Sequence, residues 1–298
     1  MQQISCLNTV EIHASTHLKD SQMLHELKKM ESFTIGATDG TIGSVKDFYF
    51  DDESWVIRYL VVETGDWLKS RKVLITPFAL LQPDWERNTL PAIISLAKVK
   101  NSPDIDTDKP VSRQHEMQYL GYYGYPYYWD GLGMLPGTMA PDMYLPTEAN
   151  TAKERAAMKK ASVAYHKKEK AAHRDDDPHL RSCEAVTGYH IHAIDGEIGH
   201  VHGYLIDDRS WAIRYVIVNT SNWWVGHKVL ISPEWFQDID WAEERVSVDL
   251  HRQSVEHAPD YDETMEFSRM HEKALYAHYK RIGYWPVEEA EEVAALHP

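Results

Sequence analysis

The sequence predicts a mainly β protein with flanking helices, in which two small β-barrels follow one another along the chain. Three observations lead to this fold class. A long segment occurs twice at a constant offset of 156 positions. Each copy contains short runs rich in β-branched and aromatic residues, and turn residues separate these runs at short intervals. A period of this length indicates two whole domains rather than a solenoid.

The repeat is strongest between residues 39–80 and 195–236, where about 20 of 42 positions are identical. Its centre is the segment DDESWVIRYLVVETGDW at 51–67, which returns as DDRSWAIRYVIVNTSNW at 207–223. In both copies an arginine, Arg58 or Arg214, interrupts an apolar run. Both copies therefore carry a charged residue inside a run that is otherwise apolar.

The strands of each copy are predicted in order from the turn signals. Asp39-Gly40 and Asp195-Gly196 lie between apolar runs, and Asp-Gly supplies the positive φ angles of a tight hairpin. Further strands follow in the segments VKDFYFDD, SWVIRYLVVET, KVLITP and LPAIISL, the last of which corresponds to RVSVDLH in the second copy. A helical segment then begins at SRQHE in the first copy and at SRMHE in the second.

These elements predict five regions along the chain. They are an N-terminal arm with a short helix (1–31), a first barrel (32–116), an aromatic loop with a basic helical linker (117–180), a second barrel with a C-terminal helix (181–285) and a tail (286–298).

The repeated strand has two apolar faces, as period-2 alternation shows. Trp55 and Tyr59 lie on one face, and Val56 and Arg58 lie on the other. A strand of this kind is covered on both sides, so we expect the two barrels to cover each other in a pseudo-twofold arrangement. The predicted structural and interface residues are Trp55, Arg58, Tyr59, Trp67, Trp211, Arg214, Tyr215 and Trp223.

A guanidinium in this position needs partners for its donors. One interpretation is a structural ion pair that fixes the barrel. A second is an arginine that faces an anionic small molecule, and a third is a role in the contact between the barrels. The candidate carboxylate partners are Asp47, Asp51, Glu63 and Asp207.

The two copies resemble the PRC-barrel family, named after the cytoplasmic domain of the photosynthetic reaction centre H subunit. The resemblance lies in DGTIGSVKDFYFDDESWVIRYLVVETGDWL with KVLITP, and in DGEIGHVHGYLIDDRSWAIRYVIVNTSNWW with KVLISP. Together the copies cover roughly two-thirds of the chain, and the whole is most similar to free-standing tandem PRC-barrel proteins of bacteria. The resemblance implies a small β-barrel used for protein contacts and implies no catalytic site, and fold does not determine function.

The charge and composition restrict the function classes. A formal net charge of −15 repels DNA and anionic lipid surfaces. No run approaches the roughly 20 apolar residues of a membrane helix, and the first residues lack the pattern of a signal peptide. The two cysteines, Cys6 and Cys183, give no disulfide framework or zinc spacing. We therefore expect a cytoplasmic protein without a membrane span.

Histidines near the start of the second copy form a conceivable metal site, because two histidines two positions apart on a strand share a face. They are His190, His192, His200 and His202. No carboxylate or cysteine with matching spacing joins them, so surface histidines near strand ends are the simpler interpretation. The sequence predicts no cofactor and no catalytic motif, and hence a protein that is not an enzyme.

The sequence thus favours a scaffold that binds a protein partner or a further copy of itself as a homo-oligomer. One alternative is a sensor that binds a small molecule or a metal in the cleft between the barrels, near Arg58, Arg214 and the histidines. Another is an adaptor in ribosome or RNA assembly.

Overall fold

The computed structural model of the protein describes residues 24–103, 113–125, 179–220 and 227–285. We call the described residues up to 125 the first half and those from 179 onward the second half. Two β-sheets dominate both halves, and the helices are few and short. The predicted arm up to residue 23, the linker at 126–178, Trp223 and the tail at 286–298 lie outside the described residues.

The first half contributes six strands and two helices. They are β1 (Leu24–Glu26), β2 (Thr34–Ala37), β3 (Gly40–Asp51), β4 (Val56–Glu63), β5 (Lys72–Ile75), β6 (Thr89–Pro91), α1 (Leu96–Lys100) and α2 (Arg113–Tyr123).

The second half contributes seven strands and three helices. They are β7 (Leu180–Ser182), α3 (Cys183–Val186), β8 (His190–Ala193), β9 (Gly196–Asp207), β10 (Ile213–Asn219), β11 (Lys228–Ile231), β12 (Phe236–Asp240), β13 (Arg245–Val248), α4 (Arg252–Glu256) and α5 (Arg269–His278).

The two sheets have the same core topology. One has the order β5-β4-β3-β2-β6, and the other has the order β11-β10-β9-β8-β13-β12. The pairs β2–β6 and β8–β13 are parallel, and the other pairs in both sheets are antiparallel. Within the described ranges neither strand order closes on itself, so the closed barrels remain a prediction.

A glycine lets the backbones of β3 and β9 pass close to the neighbouring chain segments. A Cβ atom on Gly43 would lie 1.9 Å from the carbonyl oxygen of Glu63, and one on Gly199 would lie 2.1 Å from that of Asn219. Only a residue without a side chain fits there. The two glycines occupy matching positions of the repeat, so both copies allow this close backbone approach with a glycine.

Each half also lends a short strand to the sheet of the other. In the antiparallel pair β1–β9, Leu24 lies opposite Asp207, and in β7–β3, Leu180 lies opposite Asp51. These four residues are related by the offset of the repeat. The predicted arm with a short helix is wrong at Leu24, where the structure has a strand followed by a single 3-10 turn at Leu27–Met30.

The predicted fifth strand of the first copy is shorter than expected. Of the segment LPAIISL, only the first two residues belong to β6. The Ser95 hydroxyl accepts a hydrogen bond from the Lys98 N–H and so caps the start of α1. Because a capping serine favours helix over strand, the segment leaves the sheet early.

The helices α2 and α5 pack on the sheets through aromatic side chains. Tyr59 on β4 contacts Tyr119 on α2 edge-on at 5.1 Å, and Tyr215 on β10 contacts Tyr276 on α5 at 6.4 Å. The buried residues of both halves form one continuous hydrophobic cluster. No helix in the described ranges is long and apolar enough to cross a lipid bilayer.

Candidate functional site at the seam between the halves

The two halves meet where β4 and β10 begin. The Ile57 N–H donates to the Trp211 carbonyl at 2.8 Å, and the Ile213 N–H donates to the Trp55 carbonyl at 2.7 Å. An antiparallel bridge pairs Val56 with Ala212 between these bonds. We call this strand contact the seam. It joins the halves through backbone hydrogen bonds, which fix their relative position more strictly than side-chain packing alone.

A tight turn in each half sets up the seam. In the first half the Asp51 carboxylate accepts hydrogen bonds from the backbone N–H groups of Glu53 and Ser54 at 3.1 and 2.9 Å. The next residue, Trp55, has a φ of 55°, and Trp211 has a φ of 58°. A bulky residue in the left-handed region is strained, so the surrounding contacts must hold these two tryptophans in place.

The first of these tryptophans packs across the seam. Its ring stacks on Phe50 of its own half at 4.8 Å and contacts Phe236 of the other half edge-on at 5.1 Å. Trp55 and Trp211 are both buried. The structure therefore places the two predicted interface tryptophans in contact with both halves.

The two arginines at matching positions of the repeat are held by groups of their own half. Arg58 donates to the Ser54 hydroxyl at 3.0 Å and lies 3.9 Å from the Asp51 carboxylate. Arg214 donates to Asp207 at 3.4 Å, and its guanidinium lies over the Tyr284 ring at 4.2 Å. These contacts match the structural ion pair among the three interpretations.

The other two candidate carboxylates have different roles. Asp47 accepts a hydrogen bond from the Ser182 hydroxyl at 2.6 Å and another from the Glu184 N–H at 3.0 Å, and so binds β7 and α3 of the second half. Burial raises the pKa of Asp47 despite these bonds. Glu63 lies 3.4 Å from Lys46 in its own half.

A reciprocal pair of contacts secures each lent strand. In the first half His25 on β1 stacks on Trp85 at 3.8 Å and lies 3.4 Å from Asp208 of the second half. In the second half Arg181 on β7 lies over the Trp241 ring at 4.1 Å and donates to Asp52 of the first half at 2.8 Å. The contact partners in the two halves correspond at the repeat offset, so equivalent contacts hold both lent strands.

A buried glutamate beneath β10 escaped the sequence analysis. Glu272 on α5 accepts hydrogen bonds from Tyr215 at 2.9 Å and Tyr284 at 2.7 Å, and lies 2.6 Å from Arg269. It is fully buried. Burial raises its pKa, and the arginine and the tyrosine hydroxyls offset this only in part.

The recurrence of SRQHE and SRMHE was the available signal for this residue, because both motifs end in a buried glutamate. In the first half the matching Glu116 lies 2.6 Å from His179. The tyrosine of the same network, Tyr215, has a pKa raised above its ordinary range, first by burial and then by the nearby Glu272.

Two grooves flank the seam at positions related by the repeat. The first, the closed groove, has a volume of about 30 Å³ and is lined by Arg58, Phe78 and Trp211 among others. The second, the open groove, has a volume of about 350 Å³. Its lining residues include Glu53, Trp55, Arg214, Glu234, Phe236, Gln237, Asp238 and Tyr284. Both grooves combine residues of the two halves.

The remaining predicted residues lie away from the seam. His190 and His200 are cross-strand partners, and His190 lies 2.9 Å from Glu197. His202 contacts Lys228 and Glu263, and burial with the lysine charge lowers its pKa. The metal site stays a prediction.

His192 lies opposite Glu197 in the pairing of β8 with β9. Within the described ranges no group of three or more histidine, cysteine or acidic residues is arranged to hold a metal ion. Trp67 is about one-third exposed and donates to the Ile42 carbonyl at 2.7 Å inside the first half, away from the seam.

Comparison with protein families finds a match in part of the first half. Residues 25–83 match the model of the PRC-barrel domain. The chain contains a PRC-barrel domain. The matched residues run from β1 through β5 and include the turn, the tryptophan and the arginine that build the seam. A search of curated proteins finds no match to this chain.

Proposed function

We propose that the protein is a non-enzymatic protein-binding module in which two PRC-type barrels, related by a pseudo-twofold axis, present a groove to a partner protein. The proposed barrels are the regions 32–116 and 181–285. The observation that carries this proposal is the open groove, which is built from both halves and lies beside a seam of backbone hydrogen bonds. A groove held in this way keeps its shape, and a preformed shape lowers the cost of binding.

The difference between the two grooves supports a binding role for one of them. Phe78 lines the closed groove and lies 6.1 Å from Tyr125, ring to ring. At the matching position of the open groove stands Glu234, which is exposed. The groove with the aromatic residue has a volume of about 30 Å³, and the groove with the acidic residue has a volume of about 350 Å³.

The cysteine in the described ranges supports a role without covalent catalysis. Cys183 is buried, and burial raises the pKa of its thiol well above the ordinary value. Because the thiolate is the reactive form of cysteine, this side chain is a poor nucleophile.

Site-specific photo-cross-linking tests the proposal. A cross-linking amino acid placed at Gln237, an exposed residue of the open groove, should capture a partner protein in cells that make this protein. The matched control is Leu81, the corresponding exposed residue of the first half. The captured protein, once identified and purified, should bind the wild-type chain.

The variant Glu234→Phe copies the side chain of the closed groove and should abolish both the cross-link and the binding while the chain stays folded. Equal capture from positions 237 and 81, or binding unaffected by E234F, would contradict a binding role for the open groove. A captured second copy of this chain would make the partner the protein itself.

A small-molecule sensor is the second candidate, because the volume of the open groove lies within the range of ligand pockets and Arg214 lines it. An anion that raises the melting temperature of the wild type, and has no effect on E234F, would favour this function. The RNA adaptor is less supported, since exposed acidic side chains around the groove repel phosphates.

A further inference from the structure

We infer that the open groove selects a basic segment, with lysine or arginine side chains, of a protein partner. This inference rests on the proposed function and specifies the chemistry of the occupant.

The open groove is lined by an excess of negative charge. Glu53, Glu234 and Asp238 are exposed residues of its lining. Arg214 is the basic residue among the lining residues of this groove, and its charge is offset by Asp207 at 3.4 Å. A cationic segment would therefore meet a complementary surface, which raises the rate and the specificity of association.

The base of the groove suits the stems of long basic side chains. Phe236 and Tyr284 are half-buried aromatic residues of the lining, and the guanidinium of Arg214 already lies over the Tyr284 ring at 4.2 Å. Lysine and arginine pack their methylene groups along such surface while their charged ends stay near water, and their cations interact favourably with aromatic rings. Acidic groups around an aromatic base thus fit both parts of a basic side chain.

The exposed acidic residues of the open groove are not shared by the matching positions of the other copy. The positions of the first copy that match Glu234 and Asp238 carry Phe78 and Gln82. The position of the second copy that matches Glu53 carries Arg209. The matching positions therefore carry neutral or basic residues, and of these Phe78 lines the closed groove. The groove with the larger volume is therefore also the one with exposed acidic side chains.

Fluorescence anisotropy with the purified full-length chain tests the inference. The probes are three labelled peptides of equal length, Arg-Leu-Arg-Leu-Arg, Glu-Leu-Glu-Leu-Glu and Ser-Leu-Ser-Leu-Ser. The basic peptide should bind, the other two should bind much more weakly, and added salt should weaken the binding of the basic peptide.

Charge-matched variants locate the binding. The double variant E234Q/D238N should weaken the basic peptide about tenfold. The control E86Q/E256Q removes two exposed acidic residues outside the groove lining and should leave the affinity within about twofold of the wild type. Equal binding of the three peptides, or equal losses in the two double variants, would overturn the inference.

The failure of the inference can be separated from the failure of the proposed function. If the cross-link from position 237 persists in E234Q/D238N and its partner binds there through a segment without basic residues, the inference is wrong and the protein-binding role stands. If position 237 captures no protein that E234F displaces, the proposed function itself fails.

Discussion

Replacing Arg58 by methionine measures what the repeated arginine contributes to stability. Methionine keeps the length and the apolar stem of the side chain, so little cavity is created. The variant loses the hydrogen bond to Ser54 at 3.0 Å and the ion pair with Asp51 at 3.9 Å. Asp51 keeps the N–H donors of its turn, which limits the penalty of leaving its charge without the arginine.

The expected loss in the free energy of unfolding is about 2 kcal/mol, because a hydrogen bond from a charged group contributes about 1.5–3 kcal/mol. The Arg58 side chain is 12% exposed, so solvent screens this contact only weakly. For a folded unit of roughly 200 residues, this loss lowers the melting temperature by about 4–8 °C.

Urea unfolding followed by circular dichroism gives the assay, and Arg87→Met is the matched control. Arg87 pairs with Asp84 at 3.2 Å, but its side chain is 81% exposed, so its removal should leave stability unchanged. A loss below about 0.5 kcal/mol for R58M, or equal losses in the two variants, would refute the structural role. Unchanged stability with loss of an anion-induced thermal shift would instead identify a ligand-binding arginine.

Two further predictions concern the close backbone approach at Gly43 and the buried glutamate. Gly43→Ala should destabilise the chain by roughly 3 kcal/mol or more, because its Cβ would overlap the Glu63 carbonyl, whereas Gly36→Ala, with open space around it, should be tolerated; thermal melts compare the two, and similar melting temperatures would contradict the close packing. Glu272 has a pKa raised above its ordinary value of 4.5 by burial, so the unfolded chain loses this proton first and wild-type stability falls as pH rises from 4.5 through the raised pKa. Glu272→Gln should remove this fall in urea titrations across about pH 4–8, and parallel curves for the two proteins would show that the buried carboxyl does not titrate in this window.

Trp55 and Arg58 of the predicted interface residues lie at or beside the seam, whereas Tyr59, which the same strand pattern marked, packs on α2 of its own half. The duplication marked Trp55 and Arg58 together with their copies, and the two apolar faces of the strand required cover on both sides. The structure buries Trp55 against Phe236 of the other half. Burial on both faces leaves a nearly continuous apolar run, which the sequence shows at this strand.

The lent strands could not be predicted in the same way. Leu24–Glu26 is three residues long and contains a charged residue, so it shows no strand periodicity. Its conformation comes from backbone hydrogen bonds to β9, some 180 residues away in the chain. The open groove was equally hidden, since it depends on how Glu234 and Trp55, from different halves, come together.

A disulfide across the seam tests the central claim most directly. Val56 and Ala212 form a non-hydrogen-bonded antiparallel pair, for which the Cα atoms are about 4.5 Å apart, within the range that a disulfide spans. The variant V56C/A212C should form this bond within one chain under mild oxidation, as peptide mapping of the monomer would show. The pair L80C/A92C, at a bridge inside the first half, is the positive control. If the control forms its bond and V56C/A212C links only separate chains, or does not react, the two halves do not meet along this seam.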